Sequence, residues 1–382
     1  MARNNSSLKT AQAVKNDEFY TQISDIEQEL GNYRKHFKDK IIYMPCDNPE
    51  WSNFWHVLKS QYIYLHYKKI IATFYNGIID TDKQPYKLEY DGVNETKTFL
   101  EGNGDFRSEE CTTILQESDI VITNPPFSLF REFVKWIMDA DKKFLIIGNQ
   151  NAITYKEIFP YIKENKMWLG TNSNLSIIYK TPYKNTQASN RDAVIKNGLN
   201  PDDGYILVAG ICWFTNLDIK KRHDTIITSK YYDDNPSNYP KYDNYEAINC
   251  DKTNEIPDDY DGVIGVPITF LSKHCPAQFE IVGLVNGKDD LVDIKTTKDY
   301  KSYKETRQSG EETGANGCKI YGNPVLVGKP DKGNYFTNGT NCVYSTYARI
   351  FIRRKPNDIT YLSGVHLITH RFKSPTEAYD TE

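Results

Sequence analysis

The sequence predicts an α/β fold: a mainly parallel sheet interleaved with helices over the first two thirds, followed by a mixed α/β or β-rich C-terminal region. Three observations predict it. Short apolar runs bounded by Pro, Asn or Gly alternate with segments whose apolar residues recur at helical spacing. One such run, Asp119-Ile-Val-Ile-Thr123, passes through a proline-rich turn into a helical pattern, the arrangement of a strand–loop–helix unit in an open sheet. Beyond about Arg222 helical periodicity fades, and Tyr-, Asp-, Asn- and Pro-rich loops separate short strands.

In chain order, residues 40–44 form an apolar strand stopped by Pro45, and residues 51–59 place apolar side chains at helical intervals. A second strand covers 69–75 and ends at Asn76-Gly77. The strand 119–123 leads into a helix over 129–138, and a fourth strand, 143–147, breaks at Gly148. Residues 167–169 and 205–214 supply further strands, and the C-terminal part contributes 263–271 and 279–285. The change of texture sets a soft boundary that divides the chain into 1–222 and 223–382.

Composition narrows the function classes. The 382 residues suffice for two to three domains, or for one large domain with an appended module. With 39% apolar and 26% charged residues the chain is globular, neither disordered nor fibrous. Mean hydropathy is −0.64, no run reaches the length of a membrane span, and the N-terminus lacks the apolar core of a signal peptide. A soluble, cytoplasmic protein is expected, with no membrane partner. The seven cysteines are scattered without a C-x-x-C pair, which predicts neither a disulfide framework nor a structural metal. His366 and His370 lie four apart in a strand-like run, where that spacing does not make a ligand pair. Net charge is −4, but residues 285–373 carry 15 Lys and Arg against 9 Asp and Glu, so this stretch is +6 and the remainder −10. Tyr and Phe interleave with those basic residues, which hints at an anionic partner for the C-terminal region.

The chemistry concentrates at Asn124-Pro125-Pro126-Phe127, at the carboxyl end of a buried-type strand, where open α/β sheets bind their ligands. Consecutive prolines fix φ and remove N–H donors, so they hold the turn's carbonyls in one geometry. This string resembles the Asn/Asp-Pro-Pro-aromatic loop of amino-methyltransferases that use S-adenosylmethionine. The resemblance implies a Rossmann-like catalytic sheet with a trailing target-recognition region. It also implies that the Asn124 side-chain oxygen and the Pro125 carbonyl accept from the amino group to be methylated, while Phe127 stacks on the base. Cofactor segments follow the order expected of such enzymes. Asn16-Asp-Glu-Phe19-Tyr20-Thr21 resembles their N-terminal Phe-aromatic-Thr element, and Gly102-Asn-Gly-Asp105-Phe106 resembles the Asp-Phe pair, in which Asp105 would accept from the cofactor's adenine amino group and Phe106 would stack. Asn76 stands where an acidic residue usually holds the ribose.

Met44-Pro45-Cys46-Asp47-Asn48-Pro-Glu-Trp51-Ser-Asn-Phe54 occupies the place of the glycine-rich cofactor loop but contains no glycine. That departure is shared with the EcoRI-type adenine-specific DNA methyltransferase family, which the chain resembles over roughly residues 15–285. The family implies transfer of a methyl group from S-adenosylmethionine to the N6 of an adenine flipped out of double-stranded DNA. It further implies Pro45, Cys46 and Asp47 at the cofactor, no metal, a monomer, and a cognate restriction endonuclease acting separately. Two alternatives stay open: an amino or amide methyltransferase acting on RNA or on a protein glutamine, and an inactive nucleic-acid-binding module that retains the fold. The basic strings Lys220-Lys-Arg-His223 and Arg353-Arg-Lys355 read as solvated surface ahead of phosphate contacts.

Overall fold

The computed structural model describes residues 21–77, 84–173, 175–180, 187–287 and 291–356. Phe19, Tyr20, His366 and His370 lie outside them.

The first sheet holds β1 (Ile41–Met44), β2 (Lys69–Thr73), β3 (Tyr86–Tyr90), β4 (Glu95–Phe99), β5 (Ile120–Thr123), β6 (Lys143–Asn149), β7 (Trp168–Leu169), β8 (Leu175–Lys180) and β9 (Tyr205–Thr215). Its order is β4-β3-β2-β1-β5-β6-β9-β7, with β8 also paired to β9. The helices are α1 (Ile23–Leu30), α2 (Asn53–Ser60), α3 (Tyr62–Leu65), α4 (Glu109–Glu117), α5 (Phe130–Asp139), α6 (Phe159–Lys163) and α7 (Ala188–Lys196). The expectation of a mainly parallel sheet needs correction. Only β2, β1, β5 and β6 run parallel, and every flanking pairing is antiparallel. The β3–β4 connection shows why: Asp91 accepts from the Val93 and Asn94 amides, Gly92 takes φ +96°, and so short a turn can join only antiparallel neighbours.

Period-two alternation explains why the parallel strands read as continuous apolar runs. Tyr43, Ile71, Val121, Phe144 and Ile146 face a core with Ile114 and Leu115 of α4 and Phe130, Phe133, Val134 and Ile137 of α5. Their neighbours Ile42, Met44, Ile70, Ala72, Ile120, Ile122, Leu145 and Ile147 face the other way, onto Ile26 and Leu30 of α1 and Phe54, Trp55 and Leu58 of α2.

The remaining strands are β10 (Ala247–Asn249), β11 (Val263–Pro267), β12 (Phe279–Val285), β13 (Lys304–Thr306), β14 (Glu312–Asn316), β15 (Val325–Val327), β16 (Tyr335–Thr337), β17 (Cys342–Ser345) and β18 (Arg349–Arg354). They build a four-stranded sheet, β10-β11-β18-β12, and a five-stranded one, β14-β13-β16-β17-β15. Of the two textures expected for this region, the β-rich one is observed, with only 3-10 turns among the described strands. The core that covers α4 and α5 continues into Ile264, Phe279, Ile350 and Ile352, so the first two sheets share one apolar interior. Among the described residues no helix is long and apolar enough to cross a membrane.

Both basic strings fold inward in part instead of lying on solvated surface. Arg222 stacks over the Trp168 ring at 3.8 Å and donates to Asn165, and Lys221 donates to the Thr171 carbonyl. Arg354 is half-buried and donates to Thr228 and the Pro257 carbonyl. Near Arg222, the buried His274 ring lies 2.9 Å from the Phe279 carbonyl through Nε2, and desolvation pushes its pKa down to about 4. The folded state therefore favours neutral imidazole. Its contribution to stability is complete above pH 6.5 and is lost as pH falls from 6.5 towards 4, a change of about 3 kcal/mol. Thermal unfolding across that range should show a steeper acid decline in the wild-type chain than in His274→Gln.

Candidate active site

The carboxyl ends of β1, β2 and β5, with the loop before α4, line a cleft that opens to solvent. It is lined by residues that the sequence placed in separate motifs: Thr21, the 45–54 loop, Asp105 and Phe106, and Asn124 with Pro126.

Hydrogen bonds fix the loop after β1. Asp47 is buried, and its carboxylate accepts from the Ser52 hydroxyl at 2.7 Å and from the hydroxyl of Thr123, the last residue of β5 before Asn124. The same Ser52 oxygen caps α2 by accepting from the Phe54 amide. Asp47 thus ties the cofactor-side loop, the start of α2 and the Asn124 strand together. Thr73, at the end of β2, donates to the Pro45 carbonyl and contacts the Tyr43 hydroxyl at 3.1 Å. Asn53 donates to the Thr21 carbonyl at 2.7 Å, which draws the N-terminal segment onto the same wall.

The opposite wall depends on Gly104. Its φ is +76°, and a Cβ there would lie 2.2 Å from the Phe74 carbonyl oxygen, so glycine alone permits the close approach of this loop to β2. Glu110 accepts from the amides of Glu101 and Gly102, and Ser108 caps α4. Arg107 grips Asp105 through both carboxylate oxygens and holds that carboxyl below the usual carboxylate range. Phe106 is only 5% exposed, and its ring meets Phe133 and Trp136 edge-on at 5.0 and 5.3 Å.

Of the other residues singled out by motif, Pro45 and Cys46 line the cleft, and burial pushes the Cys46 thiol well up. Asn76, Pro125 and Phe127 are not among the lining residues. The Asn76 amide is bonded to the Asn103 carbonyl, Pro125 is buried, and Phe127 packs in part against the core beneath α2. Thr73, Phe74 and Tyr75 line the cleft where Asn76 was expected. The signal was present in the sequence: the apolar run of β2 stops just before them, and a strand's end is where ligands sit. After Pro126 the chain makes a 3-10 turn, Phe127–Leu129, and enters α5, whose Phe130 packs where Gly148 of β6 leaves no room for a Cβ.

Among known proteins, the chain matches the family model described as adenine-specific methyltransferase EcoRI over residues 7–355. It belongs to that family. Members of the EcoRI methyltransferase family similar to it include the type II methyltransferase M.EcoRI of Escherichia coli, 44% identical over 307 residues, which span 76% of this chain and 93% of the relative. The type II methyltransferases M.MgeORF184P of Mycoplasma genitalium and M.MpnI of Mycoplasma pneumoniae are each 37% identical, over 314 and 296 residues. Those matches cover 81% and 77% of this chain and 95% and 90% of the relatives. No solved structure matches the chain. Membership makes the chain a methyltransferase.

The cleft fits the cofactor that such an EcoRI-family enzyme implies. Two lining residues, Thr21 and Asn48, bury a side-chain polar atom, Oγ1 and Nδ2, that has no hydrogen-bond partner among the described residues. Buried polar atoms left in this state are costly unless a ligand pairs them, and S-adenosylmethionine offers hydroxyls, a carboxylate and an ammonium.

Proposed function

We propose that this chain transfers the methyl group of S-adenosylmethionine to the N6 of an adenine flipped out of duplex DNA. Residues 1–222 would carry the cofactor and the chemistry, and 223–382 target recognition. It would act as a monomer in the cytoplasm, needing no metal, beside a separately acting restriction endonuclease. The observation that carries this reading is convergence: Asn124 and Pro126 at the end of β5 share one cleft with Thr21, the 45–54 loop, Asp105 and Phe106.

When bound, the cofactor supplies a methyl group already activated on a sulfonium. The chain's task is alignment and the handling of one amino group. The adenine amino lone pair is delocalised into the ring. Acceptors at the Asn124 side-chain oxygen and the Pro125 carbonyl would bind its two N–H groups and favour a pyramidal nitrogen. Asp47 supports this geometry at one remove, because it fixes Thr123, the residue beside Asn124. A base stacked within a duplex cannot enter such a cleft, so flipping precedes transfer.

The test is incubation with radiolabelled S-adenosylmethionine and unmethylated duplex DNA, followed by nucleoside analysis. Labelled N6-methyladenine at one short sequence is the expected result. Label in RNA or in a protein glutamine would replace this reading with the alternative substrate, and absence of cofactor binding would favour an inactive module.

A further inference from the structure

The 45–54 loop has no glycine, and its hydrogen bonds show what that means for a ligand. A glycine-rich loop binds by pointing backbone N–H groups at its guest. Here several of those amides are used inside the loop. The Trp51 and Ser52 amides donate to the Asn48 carbonyl, the Glu50 amide donates to Asn48 Oδ1 at 2.9 Å, and the Phe54 amide donates to Ser52. These four amides are spent within the loop, which leaves side chains to share the binding at this wall.

Two side chains suit the task. The Glu50 amide fixes the orientation of the Asn48 carboxamide: its oxygen must face the loop, which leaves the NH2 group as the unpartnered donor. Trp51 lines the cleft and is 41% exposed, held edge-on to Phe74 with ring centroids 6.4 Å apart. Phe74 in turn tilts against Tyr86, whose hydroxyl reaches towards Asn48 and Glu50. Phe106, the aromatic expected to stack on the cofactor, has its ring enclosed by Phe133 and Trp136. Trp51, with Tyr75 at 45% exposure, presents the more open aromatic surface.

Resting on the reading of the chain as an S-adenosylmethionine-dependent enzyme, we infer that the loop binds its cofactor through side chains. Asn48 Nδ2 donates a hydrogen bond to a cofactor oxygen, and Trp51 covers the cofactor with its indole face. The loop thereby adds one carboxamide donor and one ring to a wall where four backbone donors are already engaged.

Calorimetric titration of the full chain with sinefungin, a non-transferable analogue, tests this without turnover. Asn48→Asp keeps the shape and the acceptor that Glu50 needs but removes the donor, and it should weaken binding about tenfold or more. Trp51→Ala should weaken it comparably, whereas Trp51→Phe should retain most affinity and lose most of the tryptophan emission change on binding. Unchanged unfolding temperatures would show that the variants fold. Affinity within about twofold of wild type for Asn48→Asp or Trp51→Ala overturns the role of that residue. If the wild-type chain itself fails to bind sinefungin, the cofactor reading falls and this inference falls with it.

Discussion

Asn124→Ala is expected to lower methyl transfer at least about a hundred- to a thousandfold, the loss typical when one preorganised polar group is removed from a reacting centre. Sinefungin affinity should stay near that of wild type, because the cofactor-side residues, Thr21, the 45–54 loop and Asp105, sit on other elements. The substitution removes the amide while β5 and the two prolines keep the turn in place. Transfer measured under single-turnover conditions with saturating cofactor isolates that step. Near-native transfer by Asn124→Ala would sink the proposed chemistry.

Asp47→Ala is expected to damage both stability and activity. The buried carboxylate accepts from two hydroxyls, Ser52 and Thr123, that are themselves buried. Removing it strands both donors and releases the loop from β5, a loss of about 2–4 kcal/mol. A lower urea midpoint with an unchanged slope would report this, together with weaker sinefungin binding, since the displaced loop forms one wall of the cleft. Asp47→Asn retains an acceptor and should lie between the two. If Asp47→Ala unfolds at the wild-type midpoint, the carboxylate does not hold the loop to the strand.

Much of the candidate site was legible because its motifs sit at strand ends. The apolar runs that became β1, β2, β5 and β6 are continuous because both faces of those strands are covered, and the runs of β1, β2 and β5 stop where the cleft begins. Thr21, Pro45, Cys46, Asp47, Asp105, Phe106, Asn124 and Pro126 reach one cleft from well-separated places in the chain. Less legible was what each side chain touches. Asp105 resembles a cofactor-binding acid, yet its carboxylate is gripped by Arg107, a neighbour two residues away. Phe127 follows the two prolines, yet it packs against the core under α2.

Short stretches of sequence were enough for the parallel heart of the sheet, the rigid Asn-Pro-Pro turn at its carboxyl edge, and a change of texture towards the C-terminus that left mixed α/β and β-rich structure both open. These follow from local periodicity, proline geometry and composition, which are properties of short stretches. The antiparallel flanks, the β-rich C-terminal sheets, the inward fold of the basic strings and the tie from Asp47 to Thr123 arise only when the chain packs. The same holds for the amide of Asn48, left as a donor in the cleft wall. Those outcomes depend on which distant groups meet when the sheets pack, and on the requirement that each buried polar atom find a partner there or await one.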